Sequence, residues 1–436
     1  MIFLTDNFSP YGNSPEREET GENKADIPPF RENGEGNARE EAPYGSQPPY
    51  GNQYPYGNQP PYGNQPPYGN QPPYGNQPPY GNQYPYGNQY PFNGYPYRKK
   101  PSVKDRFQSL AKKLSVFFAD KKVLTLSLAS IAAAGAIILF EIFGTIFGAI
   151  LGSNRTLYML YTRNPTAEAV FGMLYTLLGV AVPFFLAYVF LKKSTGITLP
   201  LGAPRKNAGT AFLIPAGLGI CYIGNIAVSY MMTFFSAFGI SSYSYDMALT
   251  QQEPVPENAF QLICSVMYMA VFPAIFEEFA FRGVIMQPLR RYGDWFAIIV
   301  SGVMFGLVHG NIMQMPFAIV AGVALGYAAI VTDSLWTGIV IHFLNNFLSV
   351  IFSWARTGLS DGTNMIFSAI FTYGIILIGV VALAGYAWKN PRMMKLYPSK
   401  VDIKKRKAVA AYFLMPAMLV ALLLMLRNIL SDITVG

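Results

Sequence analysis

Histidine and cysteine are almost missing from this chain, with two of each in 436 residues. Cys221 and Cys264 both lie inside apolar runs, which excludes a disulfide framework and reads as two small buried hydrophobes. Charge is also scarce. Asp, Glu, Lys and Arg make up 13%, about half the share usual in globular domains, which excludes a soluble multidomain chain. A cleavable signal peptide is not expected, because MIFLTDNFSP has no basic n-region and too short an apolar run. The HExxH spacing of soluble zinc peptidases is absent as well.

Apolar residues fill the space, at 51% of the chain. The first 97 residues are polar and hold 19 of the 33 prolines and 14 of the 29 tyrosines. The apolar content of the rest is therefore concentrated into long blocks. From Tyr44 to Tyr86 a tyrosine recurs every six residues in copies of PYGNQP. Proline and glycine at that density exclude a helix, and the unit has no aliphatic residue to build a core. An extended, polyproline-II-rich disordered tail is expected, either a spacer or a docking segment for a partner.

Apolar blocks of about 20 residues are candidates to cross a membrane. Nine are read here: 123–151, 168–191, 209–239, 258–289, 295–312, 314–332, 335–355, 364–388 and 408–426. Basic residues cluster before the first, after the second, after the fourth and after the eighth, and are sparse in the intervening loops. This alternation places the N-terminus in the cytoplasm of a multi-pass cell-membrane protein. It also accounts for the net charge of +8 without nucleic acid. The expected architecture is all-α: a polytopic transmembrane helical bundle of about eight or nine spans with a disordered repeat tail. Its parts are a tail over 1–97, a basic juxtamembrane segment over 98–122 and a transmembrane domain over 123–430.

Ionisable side chains in hydrocarbon cost about 2.5–3.5 kcal/mol each on insertion scales, so those present call for a role. They are Glu141, Glu277, Glu278, Arg282, His309 and His342. A lone histidine in apolar sequence is usually a satisfied core residue. Here both histidines of the chain fall in such sequence, beside a Glu-Glu pair. Glu277 lies 14 residues before Arg291, and His309 lies 15 after Asp294. At 1.5 Å per residue both rise about 21–23 Å above the hairpin turn between the fourth and fifth spans. His342 and Asn346, at i and i+4, share a helix face at about 10–17 Å depth. Glu278 and Arg282, also i and i+4, can pair, leaving Glu277 without an obvious partner. One carboxylate, two imidazoles and an amide at compatible depths form a set suited to activating water and stabilising an oxyanion. Glu141 and Asn225 belong to no motif and are expected to make hydrogen bonds between spans.

Three stretches carry a family resemblance. EEFAFRG (277–283), FGLVH (305–309) and HFLNN (342–346) resemble the EExxxR, FxxxH and HxxxN motifs of the CAAX-protease and bacteriocin-processing (CPBP) intramembrane proteases. The resemblance covers a core of about 258–356. It implies peptide-bond hydrolysis within the membrane, acting on a peptide or membrane-protein substrate. Glu277 and His309 would then activate water, His342 and Asn346 would form the oxyanion site, and Glu278 and Arg282 would support them. The family is labelled both metalloprotease and glutamate-type. A zinc ion, if bound, would take Glu277, His309 and His342 as ligands, whereas a retained Asn346 one turn after His342 favours the metal-free mechanism. Two other readings stay open: a non-catalytic immunity or scaffold protein, and a proton-coupled transporter.

Overall fold

The computed structural model describes residues 102–205, 209–244, 255–393 and 396–435. The expectations for the repeat tail, residues 1–97, lie outside them. Among the described residues the chain is helical apart from one short strand pair. In order the helices are α1 (Val103–Ala119), α2 (Lys121–Ser153), α3 (Arg155–Arg163), α4 (Pro165–Thr195), α5 (Thr210–Ser236) and α6 (Ala259–Tyr292). There follow α7 (Asp294–Leu307), α8 (Gln314–Thr332), α9 (Leu335–Ala355), α10 (Asp361–Lys389), α11 (Lys405–Phe413) and α12 (Pro416–Asp432).

Seven of these, α2, α4, α5, α6, α8, α9 and α10, are long and apolar enough to cross a membrane. The pair α11 and α12, bent by 71°, makes an eighth if counted as one span. The nine-span reading is corrected at two places. The expected fifth span over 295–312 stops at Leu307, so α7 has only 14 residues, about 21 Å against the ~30 Å of hydrocarbon. Gly310, at φ 71°, and Asn311 break the apolar run there. The expected ninth span is broken at Pro416, which opens α12 where its missing N–H costs nothing.

Three stretches widen into π-helical turns with i→i+5 bonding: Thr176–Ala181 in α4, and Met267–Val271 and Phe279–Ile285 in α6. A proline follows each within three residues, Pro183, Pro273 and Pro288. Proline removes a donor and crowds the carbonyl four residues back, and a wider turn relieves both. Pro288 lies within a helix that continues to Tyr292.

The main core joins α2, α4, α6, α7 and the α11–α12 pair through residues such as Leu126, Phe184, Ile285, Ile298 and Met418. Small residues set the closest crossings. A Cβ on Gly219 of α5 would lie 2.6 Å from the Gly379 Cα of α10, and one on Gly322 of α8 would lie 2.8 Å from the Gly302 Cα of α7. Strand β1 (Ile240–Ser242) pairs antiparallel with β2 (Ile433–Val435), with Ile240 opposite Val435. At the other end Lys407 donates to Asp120 at 2.8 Å, tying α11 to the start of α2. That bond holds the Asp120 carboxyl below the usual carboxylate range.

Candidate active site

Glu278 and Arg282 lie on α6, one helical turn apart and both fully buried, with Nη1 2.7 Å from Oε1. The pairing expected from their spacing is present, and two further contacts hold Arg282. Its Nη2 donates to the Gly322 carbonyl at 3.2 Å. Its guanidinium stacks over the Phe305 ring, 4.3 Å from the centroid. Gly338 of α9 lets the helix close on Glu278, since a Cβ there would be 2.7 Å from Oε2.

Glu278 does not pair with Arg282 alone. The His342 Nδ1 on α9 donates to the same Oε1 at 3.2 Å. A carboxylate only accepts, so the proton sits on Nδ1 and Nε2 turns toward Glu277, whose Oε2 is 3.9 Å away. That distance is too long for a direct hydrogen bond, and Glu277 Oε2 is buried with no hydrogen-bond partner.

His309 follows α7 in the turn before α8. Its Nδ1 donates to the Phe305 carbonyl at 2.6 Å, which makes Nε2 the acceptor nitrogen of the neutral ring. The ring packs edge-on against Phe305, and Phe305 also meets the His342 ring. Asn346, one turn beyond His342 on α9, donates from Nδ2 to the Met269 carbonyl at 3.0 Å. Met269 belongs to a π turn of α6, so the widened turn supplies the acceptor.

Two cavities meet at His309. One, of about 70 Å³, is lined by Glu277, His309, Tyr175, Thr176, Tyr268 and Phe281 among others. Each π turn contributes a residue to its wall: Thr176, Tyr268 and Phe281. The other, of about 10 Å³, is the size of a single water molecule and is lined by His309, His342, Asn345 and Asn346 with Cys221 and Phe305. The structure thus gathers Glu277, Glu278, Arg282 and His342 directly. His309 faces both cavities, and Asn346 joins the group only through the smaller one.

Sequence reasoning missed three features. Asn345 donates to Asn346 Oδ1 at 3.0 Å and fixes which way that amide faces; the doubled Asn in HFLNN was the available signal. Asp432, at the end of α12, accepts from Ile312 N at 3.0 Å, Ser242 Oγ at 2.8 Å, and Ser244 N and Oγ. It thereby fastens the turn that carries His309 to the strand pair. Nothing local marked it. The third is the set of π turns. Of the two residues outside the motifs, Glu141 accepts from Asn428 of α12 at 2.8 Å, a bond between helices as expected. Asn225 is instead exposed on α5.

No three His, Cys, Asp or Glu side chains among the described residues are grouped to hold a metal ion. His342 Nδ1 is engaged by Glu278 and His309 Nδ1 by a carbonyl, so a zinc ion, if bound, would take the two Nε2 atoms beside Glu277.

Residues 259–348 match the family model described as type II CAAX prenyl endopeptidase Rce1-like. All seven motif residues fall inside that range. Over those residues the chain is similar to the Rce1-like CAAX endopeptidases of the CPBP family. A relative is the membrane-embedded CAAX protease MroQ of Staphylococcus aureus (strain USA300), 24% identical over 197 residues, which span 43% of this chain and 75% of MroQ. No solved structure matches the chain. The long apolar helices make the chain a multi-pass membrane protein, and the family it resembles is one of proteases, hence of hydrolases.

Proposed function

We propose that the chain is an intramembrane endopeptidase in which Glu277 takes a proton from the water that attacks the substrate's peptide carbonyl. The observation that carries this reading is Glu277, whose Oε2 is buried without a hydrogen-bond partner and which lines, with His309, one cavity. His309 Nε2, with Nδ1 held by Phe305, accepts from the same water and orients it. His342 and the second N–H of Asn346 donate to the oxyanion, the histidine requiring a proton on Nε2 at that step. Glu278, held by Arg282, aligns His342 through Nδ1. The substrate is a peptide or membrane-associated protein; the CAAX designation is carried by the relatives' names.

Glu277→Gln and His309→Ala should each abolish processing, read by comparing terminal peptides of the membrane proteome with and without the variant. A substrate accumulates and co-purifies with Glu277→Gln. If cells with either variant keep every processed terminus and the wild-type phenotype, the chain acts as a scaffold. The mechanism proposed runs on the chain's own side chains, with His342 and Asn346 one turn apart on α9 as paired donors. Protein purified without added metal should stay active after a membrane-permeant chelator. Stoichiometric zinc with chelator-sensitive, zinc-restored activity would overturn it.

A further inference from the structure

The helix α1 has no buried residue, yet it is strongly two-sided. Val103, Phe107, Leu110 and Leu114 recur at steps of four, three and four, which places them on one stripe. Their exposures, 85%, 71%, 53% and 47%, show that the bundle leaves that stripe uncovered. The helix is nonetheless firmly started. Ser102 and Asp105 form a reciprocal capping box, with Asp105 N donating to Ser102 Oγ at 3.1 Å and Ser102 N to Asp105 Oδ2 at 3.0 Å.

Only the last turn is anchored. Phe117 and Phe118 pack on the core, and Lys407 lies over the Phe117 ring. Asp120, with ψ 110°, breaks the helix for one residue and caps α2 through Lys122 N. Because α2 is an apolar helix of spanning length, α1 leaves the bundle at the membrane surface. Residues 98–122 carry nine basic and two acidic side chains, and Lys104, Arg106 and Lys113 lie along the edges of the apolar stripe.

We propose that α1 lies in the headgroup layer of an anionic leaflet, its Val103–Leu114 stripe among the acyl chains and its basic residues on lipid phosphates. An apolar stripe bordered by flexible cations on a helix tethered one residue from a span fits that layer. The chain itself offers one competing occupant, since residues 1–42 hold ten acidic and four basic side chains. That segment supplies counter-charge but few aliphatic side chains for the stripe.

The test uses the full chain with Cys221→Ala and Cys264→Ala, in nanodiscs of phosphatidylcholine with or without phosphatidylglycerol. Nitroxides are placed through Phe107→Cys, Leu110→Cys, Gln108→Cys and Lys112→Cys, one at a time. In anionic discs the Phe107 and Leu110 positions should lose relaxation by a water-soluble nickel complex and gain it from oxygen. The Gln108 and Lys112 positions should keep the nickel response, and the stripe's protection should weaken in zwitterionic discs. Equal nickel access at all four positions would overturn the proposal, as would protection identical in both lipids. Protection that disappears when residues 1–97 are deleted would assign the stripe to the tail instead.

Discussion

Arg282→Ala and Glu277→Gln should differ sharply in stability. Arg282 neutralises Glu278 at a fully buried site, and removing one partner of such a pair costs about 3–5 kcal/mol. Glu277→Gln keeps the shape and removes a charge whose Oε2 has no hydrogen bond to lose. Thermal unfolding in detergent should show a large loss for Arg282→Ala and little change for Glu277→Gln; equal melting temperatures would refute the assignment. At the proposed oxyanion side, His342→Ala and Asn346→Ala should each lower the chemical rate by roughly 10²–10³ with substrate binding little changed. Asn345→Ala frees the Asn346 amide to turn, and a smaller rate loss is expected from single-turnover kinetics. The Glu278–Arg282 pair was legible in the sequence because i and i+4 spacing is local. The link from His342 to Glu278 was not, because it depends on how α9 rotates against α6.

Elements carry the next level of constraint. Asp432 joins α12 to the turn holding His309 and to the chain leaving β1, through bonds that bridge 120 and 190 positions. Asp432→Ala leaves those buried donors without their acceptor, at about 1–3 kcal/mol of desolvation cost. It should also lower the rate more than it raises KM, because His309 loses its support. No helical or strand period marks such a residue. Hydropathy located seven spans within a few residues of their ends and misjudged α7, whose apolar run continues past its last turn. The π turns escaped for a related reason: a widened turn keeps the same composition as an ordinary one. At the α5–α10 crossing, Gly219→Ala would press a methyl onto the Gly379 backbone. A loss of about 1–3 kcal/mol is expected from overpacking, measured as a lower detergent melting point.

For the whole molecule, deleting residues 1–97 should leave an inserted, folded and active protein. The described helices bury one another, and the repeat has no aliphatic side chain to add to that core. Failure of the truncated chain to insert would show the reverse. The bond between Lys407 and Asp120 joins the two ends of the helical domain and gives it a pH dependence. Its folded carboxyl lies below the ordinary value, near 3.9 in model peptides. The contribution is therefore complete above that value and fades as pH falls through the folded one. The stability difference between wild type and Asp120→Asn should shrink along that same acid limb.

Hydrolysis consumes one water for every bond cut, and hydrocarbon holds almost none. The short α7 bears on this supply. At about 21 Å it falls some 9 Å short of the ~30 Å bilayer core, so the turn from Val308 to Met313 brings polar backbone, Asn311 and the His309 ring into that depth. Bilayer thickness thereby becomes a control on the reaction. Thinner membranes carry the aqueous boundary toward the His309 turn, and thicker ones draw it away. The same enzyme reconstituted in lipids of increasing acyl length should turn over progressively more slowly, with its fold unchanged.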